Sequence, residues 1–88
     1  MEIHYTSDFI RSLRGLPKET QRLAARQEEI FRKDPNDTRL HTKALKGRLK
    51  GFYSFRVTRN YRALYAWKET DVALFYEIGD RQYIYLSR

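Results

Sequence analysis

Residues 51–67 read GFYSFRVTRNYRALYAW, and this stretch decides the fold. Two segments rich in aromatic residues flank the polar residues 58–60, a pattern that predicts two antiparallel strands joined by a short turn. A period of two places one set of side chains on a shared face, namely Tyr53, Phe55, Val57, Tyr61, Ala63, Tyr65 and Trp67. Arg56 and Arg62 fall on the opposite face. Because arginine is almost never fully buried, that face is expected to be open to solvent.

The sheet is predicted to continue through residues 72–79, which read VALFYEIG. Strict alternation places Val72, Leu74, Tyr76 and Ile78 on the core face, and Ala73, Phe75 and Glu77 on the face of Arg62. Residues 82–86, QYIYL, are predicted to close the chain as a further short strand. The second half of the chain therefore predicts an antiparallel meander of at least three strands.

Helical signals fill the first half of the chain, after a short strand predicted at residues 2–5. Thr6 or Ser7 can cap a first helix, and Gly15 suits its end. A second helix is predicted through residues 18–33, KETQRLAARQEEIFRK, because Pro17 suits a helix start and an Asp-Pro pair follows the segment. Two helices joined this tightly form a helical hairpin.

The fold prediction is a single α+β domain over residues 1–88, with the N-terminal helical hairpin packed on one face of a small antiparallel β-sheet. The expected core comprises Leu13, Leu23, Ile30, Phe31, Phe55, Val57, Leu64, Leu74 and Ile78. Leu64 fits this core only if twist or a bulge turns it, because alternation places it beside Arg62. The helices can cover one face, so Arg62 is expected to face an open, basic, partly aromatic groove.

Positive charge is concentrated in one segment of a chain whose formal net charge is +7. Residues 38–68 contain no Asp or Glu and nine basic residues, which are Arg39, Lys43, Lys46, Arg48, Lys50, Arg56, Arg59, Arg62 and Lys68. A basic field confined to one segment indicates a polyanionic partner, most often a nucleic acid. The alternative is a solvated basic face that keeps a small protein soluble.

Several classes of function are disfavoured by what the sequence lacks. It has no cysteine, hence no disulfide framework and no thiolate metal site. His4 and His41 lack metal-ligand spacing, so each is expected to be a surface or strand-end residue, and neither a metal nor another cofactor is expected. The N-terminus does not read as a signal peptide and no apolar run is long enough for a bilayer, which makes the cytoplasm the expected compartment, without membrane association.

Arginines are the strongest candidates for chemistry. Arg56, Arg62 and Arg81 come from three successive predicted strands or their ends. Guanidinium groups bind phosphate through two parallel hydrogen bonds, and they could stabilise a pentacoordinate phosphate if they converged on one phosphodiester. A surface for stacking bases could come from Tyr53, Phe75, Tyr83 and Tyr85. Alternatively, Arg56 and Arg62 pair with Glu77 and merely solvate the open face.

Residues 45–65, LKGRLKGFYSFRVTRNYRALY, followed by EIGDRQYIYL at residues 77–86, resemble the RelE/ParE superfamily of toxin–antitoxin toxins. The resemblance spans nearly the whole chain. It implies a RelE-like fold and a ribosome-dependent endoribonuclease that cuts messenger RNA, with the adjacent ribose 2′-hydroxyl as nucleophile. It also implies a cognate antitoxin that neutralises the toxin, in a hetero-oligomeric complex.

The resemblance also suggests roles for individual residues. Arg56 matches a basic position of the second strand in the RelE pattern, Arg62 the arginine of the YR motif, and Arg81 the late arginine. Tyr85, or else Tyr83, matches the tyrosine near the end. Contacts to RNA or the ribosome are expected from Lys43, Lys46, Arg48, Lys50, Arg59 and Tyr83.

Three departures leave the general base open. Ser54 stands where RelE carries a lysine, Asp80 where many relatives carry a histidine, and Lys43 where the YoeB branch has its glutamate base. The remaining candidates for the base are Lys46, Lys50 and Glu77. Two alternatives therefore stay open, a ParE-like inhibitor of DNA gyrase and a degenerate member that only binds RNA or antitoxin. ParE-type toxins generally lack the catalytic set, so the two arginines and the late tyrosine favour the ribonuclease.

Overall fold

One open sheet organises the protein in the computed structural model, which describes residues 1–87. Within these residues it has five strands, β1 (Glu2–Tyr5), β2 (Lys43–Ala44), β3 (Tyr53–Arg56), β4 (Tyr61–Glu69) and β5 (Val72–Asp80). Their spatial order is β1-β5-β4-β3-β2. The meander of β3, β4 and β5 confirms the prediction, whereas the short edge strand β2 and the parallel pairing of β1 with β5 were not predicted.

Both α-helices begin and end where the capping residues predict. Helix α1 (Ser7–Arg14) starts where the Thr6 hydroxyl accepts a hydrogen bond from the Phe9 backbone N–H at 3.0 Å. Gly15 follows it, and α2 (Lys18–Lys33) then runs to the predicted Asp-Pro break. Three short 3₁₀ helices complete the described chain, η1 (Thr38–Leu40), η2 (Gly47–Leu49) and η3 (Ile84–Ser87).

An aromatic cluster joins the helices to one face of the sheet. The Phe75 ring lies 5.4 Å from the ring of Phe9 in α1 and 5.2 Å from that of Phe31 in α2. The predicted core residues Ile30, Phe31, Phe55, Val57 and Ile78 belong to this cluster, and Leu13 and Leu23 pack partly buried against it. The helical hairpin on one sheet face is therefore confirmed.

A bulge in β5 overturns part of the predicted face assignment. Leu64 pairs with Glu77 and Tyr65 with Phe75, which leaves Tyr76 as an extra residue on β5. The extra residue shifts the alternation, so the residues of β5 before Tyr76 lie on the face opposite to the one predicted. Phe75 and Ala73, which alternation placed on the Arg62 face, are fully buried in the core, while the predicted core residue Leu74 is only half-buried.

Helix α1 stabilises the bulged segment of β5. The Thr6 hydroxyl donates to the Tyr76 carbonyl at 2.7 Å, and the Ser12 hydroxyl accepts from the Ile78 backbone N–H at 3.1 Å. Strand β5 extends past the end of β1. There its backbone groups form hydrogen bonds with Thr6 and with Ser12 of α1 rather than with a neighbouring strand on that side.

The C-terminal prediction of a strand over residues 82–86 is wrong. The backbone N–H of Tyr83 donates to the Asp80 carbonyl, and that of Leu86 donates to the Tyr83 carbonyl, so the chain turns through three-residue steps instead of extending. Ile84 is buried against Gly79, which anchors η3 to the end of β5. Burial of this one apolar side chain favours the helical turn.

The second face of the sheet is less open than the sequence predicts. Leu49 of η2, Leu64 of β4 and Ile84 of η3 are buried but lie outside the main core cluster. Leu64 alternates with core residues, so it is buried on the side away from the helices, and no bulge turns it towards them. Short 3₁₀ segments therefore shield part of this face, and a small basic cavity opens beside them.

Candidate functional site: a basic cavity on the second sheet face

A cavity of about 140 Å³ occupies the second face of the sheet. Its lining residues come from the turn after η1 and from β2, β3, β4 and η3, and they are His41, Lys43, Ser54, Arg56, Arg62 and Tyr85. None of these six carries a carboxylate, whereas three carry a permanent positive charge. The cavity therefore suits a small anionic group such as one phosphate.

Arg62 is held in place by the backbone of the β3–β4 turn. Its Nη1 donates to the carbonyl oxygens of Thr58 at 2.8 Å, Arg59 at 3.1 Å and Tyr61 at 3.1 Å. The other three N–H donors of a guanidinium belong to Nη2 and Nε. The turn thus fixes the orientation of the fork that Arg62 presents to the cavity.

Positive charges crowd around Arg62. Arg56 is its direct cross-strand partner on β3. Burial lowers the pKa of Arg62 below its usual value, and the charges of Arg56 and Arg81 lower it further, although an arginine stays protonated throughout the ordinary pH range. A bound anion would relieve this repulsion.

Arg56 adds an unsatisfied donor to the same place. Its Nε is buried and has no hydrogen-bond partner among the described residues. Such buried donors are rare in native proteins because leaving one unpaired costs on the order of 1–3 kcal/mol.

Tyr85 reaches the cavity from η3 rather than from the predicted closing strand. Its hydroxyl donates to the Ser54 hydroxyl at 3.2 Å, and its backbone carbonyl accepts from Arg48 Nη2 at 3.0 Å. Ser54 is 2% exposed, so this contact reaches the floor of the cavity. Together the two hydrogen bonds hold the C-terminal turn over the sheet.

Other candidate residues lie at the rim or outside the cavity. The Arg81 side chain is exposed, and its backbone N–H donates to the Asn60 carbonyl at 2.8 Å, which places it beside the β3–β4 turn. Lys43 lines the cavity opposite Ser54. The remaining predicted contact residues are exposed and do not line the cavity; they are Lys46, Arg48, Lys50, Arg59 and Tyr83.

The predicted aromatic stacking surface is wrong for two of its members. Phe75 is fully buried beneath the helices because of the β5 bulge. Tyr53 stacks on Tyr65 at 5.5 Å between ring centroids and packs against the main core, on the helical side of the sheet. Of the other two proposed rings, Tyr83 is 64% exposed and Tyr85 lines the cavity.

His41, predicted to be a surface or strand-end residue, is exposed just before β2 and also lines the cavity. It follows η1 with a left-handed backbone (φ 48°, ψ 47°), and its N–H donates to the Thr38 carbonyl at 3.2 Å. Its position two residues before Lys43 could have placed it on the same side of β2. The left-handed turn that brings it to the cavity has no sequence signal such as glycine.

The described residues offer neither a metal-binding cluster nor a membrane-spanning helix. Within residues 1–87, no group of three His, Asp or Glu side chains is placed to hold a metal ion. Across the same residues, no helix combines the length and apolar character that crossing a bilayer requires.

Solved structures with the same fold include toxins and toxin–antitoxin complexes. The YoeB/ParE toxin from Agrobacterium tumefaciens matches with a TM-score of 0.78 and 14% identity, over 92% of this chain and 99% of that chain. The RelB–RelE antitoxin–toxin complex from Methanococcus jannaschii matches with a TM-score of 0.74 and 23% identity, over 93% and 94% of the two chains. The toxin–antitoxin complex RelBE2 from Mycobacterium tuberculosis gives 0.70 and 25%, over 91% and 96%.

This chain therefore has the fold of the RelE/ParE superfamily of toxins, as the sequence resemblance implied. No protein-family model matches the sequence, and no match is found among curated proteins. The likeness thus lies in the course of the backbone, at low sequence identity.

Proposed function

We propose that this chain, with its RelE/ParE fold, is the toxin of a type II toxin–antitoxin system and cuts messenger RNA on the ribosome. The observation that carries the proposal is the pair Arg56 and Arg62, which line one small cavity together with Tyr85. Like charges placed directly opposite each other destabilise a sheet, so their presence favours a function that needs them.

The proposed reaction is an attack of a ribose 2′-oxygen on the adjacent phosphorus. The bond from O2′ to phosphorus forms, the bond from phosphorus to O5′ breaks, and the proton of the 2′-hydroxyl passes to a base while O5′ takes up a proton. Negative charge on the phosphate oxygens grows towards the transition state. Arg62, fixed by three carbonyl contacts, and Arg56 are proposed to stabilise that charge without rearranging.

Binding of RNA and ribosome is assigned to the basic segment around the cavity. Lys46 and Lys50 are exposed on either side of η2, and Arg59 is exposed in the β3–β4 turn. Phosphates that contact these side chains would release condensed counterions, which supports affinity without sequence specificity. Arg81 at the rim is proposed to grip the scissile phosphate from a second side.

The proposed protein partner is a cognate antitoxin, in a hetero-oligomeric complex in the cytoplasm. The matched structures from Methanococcus jannaschii and Mycobacterium tuberculosis are toxin–antitoxin complexes by name. An acidic antitoxin segment would complement residues 38–68, which carry no acidic side chain.

Purified protein added to ribosomes translating a defined message tests the proposed function, with cuts mapped by primer extension. We expect cuts inside the translated region, and none when the same RNA is supplied without ribosomes. Intact message, combined with inhibition of DNA gyrase in a supercoiling assay, would overturn the proposal and support the ParE-like alternative. Intact message with gyrase unaffected would overturn it in favour of a member that only binds.

A further inference from the structure

We propose that His41 is the general base of the RNA cleavage, the group that takes the proton from the 2′-hydroxyl. This inference rests on the proposed function and adds a catalytic residue to the same cavity. The carrying observation is that His41 lines the cavity together with Arg56, Arg62 and Tyr85.

The other candidates for the base are placed elsewhere. Lys46, Lys50 and Glu77, the alternatives from the sequence, do not line the cavity. Lys43 does, but an ammonium group donates hydrogen bonds and accepts none. A neutral imidazole presents one unprotonated nitrogen, and histidine is the side chain used most often for proton transfer in catalysis.

His41 and Tyr85 reach the cavity from different parts of the chain. His41 precedes β2, which lies beside β3 at one edge of the sheet, because Lys43 pairs with Ser54. Tyr85 belongs to η3, which is anchored on the β5 side through Ile84 and Gly79. The Tyr85 hydroxyl donates to Ser54 on β3, so it meets the cavity on the strand that also carries Arg56.

In an in-line displacement the attacking and leaving oxygens stand on opposite sides of phosphorus, so the attacking oxygen needs a base and the leaving oxygen an acid. The 2′-hydroxyl gives its proton to the His41 imidazole as O2′ bonds to phosphorus. On the other side, O5′ leaves with a proton donated by the Tyr85 hydroxyl. The products are a 2′,3′-cyclic phosphate and a 5′-hydroxyl, and solvent then restores the protonation of both side chains.

Two hydrogen bonds fix the segment that carries His41 to the strand that carries Arg56. Gln27 Nε2 in α2 donates to the Arg39 carbonyl of η1 at 3.1 Å and to the Arg56 carbonyl of β3 at 2.8 Å. Asp37 caps the start of η1 by accepting from the Arg39 backbone N–H at 2.9 Å. The imidazole is thus presented from an anchored turn.

The left-handed backbone of His41 is a second observation in favour of function. Non-glycine residues at positive φ are strained, and they cluster at active sites and ligand-binding segments. Asparagine tolerates this conformation well and cannot act as a proton acceptor at neutral pH, which makes His41→Asn the sharpest variant. Glycine also tolerates it and leaves room for free imidazole.

The test is single-turnover cleavage on programmed ribosomes, measured across a pH series for wild type, His41→Asn, His41→Gly and His4→Asn. His4 is the matched control, because it lies on β1, where it contacts Glu2, and does not line the cavity. The charged and titratable groups that share the cavity with His41 are Lys43, Arg56, Arg62 and Tyr85, and all stay in place in every variant.

We expect His41→Asn to cut on the order of 10²- to 10³-fold more slowly, with unchanged melting and unchanged co-sedimentation with ribosomes. The rise in wild-type rate as imidazole loses its proton should disappear from its pH profile. Added imidazole should restore part of the rate in His41→Gly, and His4→Asn should cut as wild type does.

Three results would overturn the inference, and they differ in whether the proposed function survives. Wild-type rate and pH profile in His41→Asn would remove His41 from the mechanism while leaving the proposed function intact. A slow variant with a wild-type pH profile and no imidazole rescue would assign His41 to positioning instead. Failure of the wild-type protein to cut would remove the proposed function and this inference together.

Discussion

Arg56 and Arg62 are direct cross-strand partners on the β3–β4 hairpin, and both side chains line the same cavity. The pairing brings two positive charges together on a partly shielded face, where burial and Arg56 both lower the pKa of Arg62. A sheet that needed only stability would avoid this pair. The arrangement is expected of a surface that becomes complete when it binds an anion.

Loss of the Tyr85 hydroxyl should slow the cleavage step. Tyr85→Phe removes the group proposed to protonate O5′ and one neutral hydrogen bond to Ser54. We expect a rate loss on the order of 10² in single-turnover cleavage, with a stability change of only about 1 kcal/mol. Tyr53→Phe, on the helical side of the sheet, is the control. Normal cleavage by Tyr85→Phe would limit Tyr85 to stacking.

Affinity for ribosomes should fall steeply with salt, and the basic segment should account for the slope. Replacing Lys46 and Lys50 with alanine should weaken binding and lower the slope of log K against log[salt] by about 1 to 2 units. Arg48 is kept, because its contact with Tyr85 also holds η3 in place. Lys18→Ala with Arg26→Ala on α2 removes the same charge elsewhere. An equal effect of both pairs would indicate a nonspecific charge effect.

The effect of alanine substitutions on the free energy of unfolding should show which residues of β5 face the core. Phe75→Ala removes a fully buried ring that contacts Phe9 and Phe31, so a loss of about 3–5 kcal/mol in the free energy of unfolding is expected. Leu74→Ala, at a half-buried neighbour, should cost clearly less. Urea denaturation of the two variants decides the matter. A larger loss of unfolding free energy for Leu74→Ala than for Phe75→Ala would contradict the bulge and support strict alternation along β5.

The carboxyl group of Asp37 should make the free energy of unfolding depend on pH in the acid range. Hydrogen bonds from the Arg39 side chain and backbone N–H lower the pKa of Asp37 from 3.8 to about 2. A carboxyl group whose folded-state pKa is lowered stabilises the fold fully above its unfolded value, and this contribution is lost as pH falls from about 3.8 through about 2. Asp37→Asn should therefore flatten the decline in urea midpoint over that range. An unchanged pH dependence would contradict this assignment.

The helices and the central hairpin could be predicted because their signals are local. Thr6 caps α1, Gly15 and Pro17 separate the two helices, and the Asp-Pro pair ends α2. The same holds for Arg56 and Arg62, whose shared face follows from alternation on either side of a three-residue polar turn.

Features that depend on distant partners could not be predicted in this way. The bulge at Tyr76 is stabilised by hydroxyl groups of Thr6 and Ser12, about seventy residues away in sequence, and it reverses the faces of the residues before it. The end of the chain turns because Ile84 finds a buried position against Gly79. His41 reaches the cavity through a left-handed residue that carries no glycine signal.

The central claim is that Arg62 stabilises the transition state of RNA cleavage, and single-turnover cutting by Arg62→Ala on programmed ribosomes tests it most directly. We predict a loss on the order of 10²- to 10³-fold in rate. Ribosome co-sedimentation and a cooperative melt should persist, Arg62→Lys should recover part of the rate, and Arg26→Ala on α2 should cut normally. Cleavage by Arg62→Ala at the wild-type rate would contradict the claim.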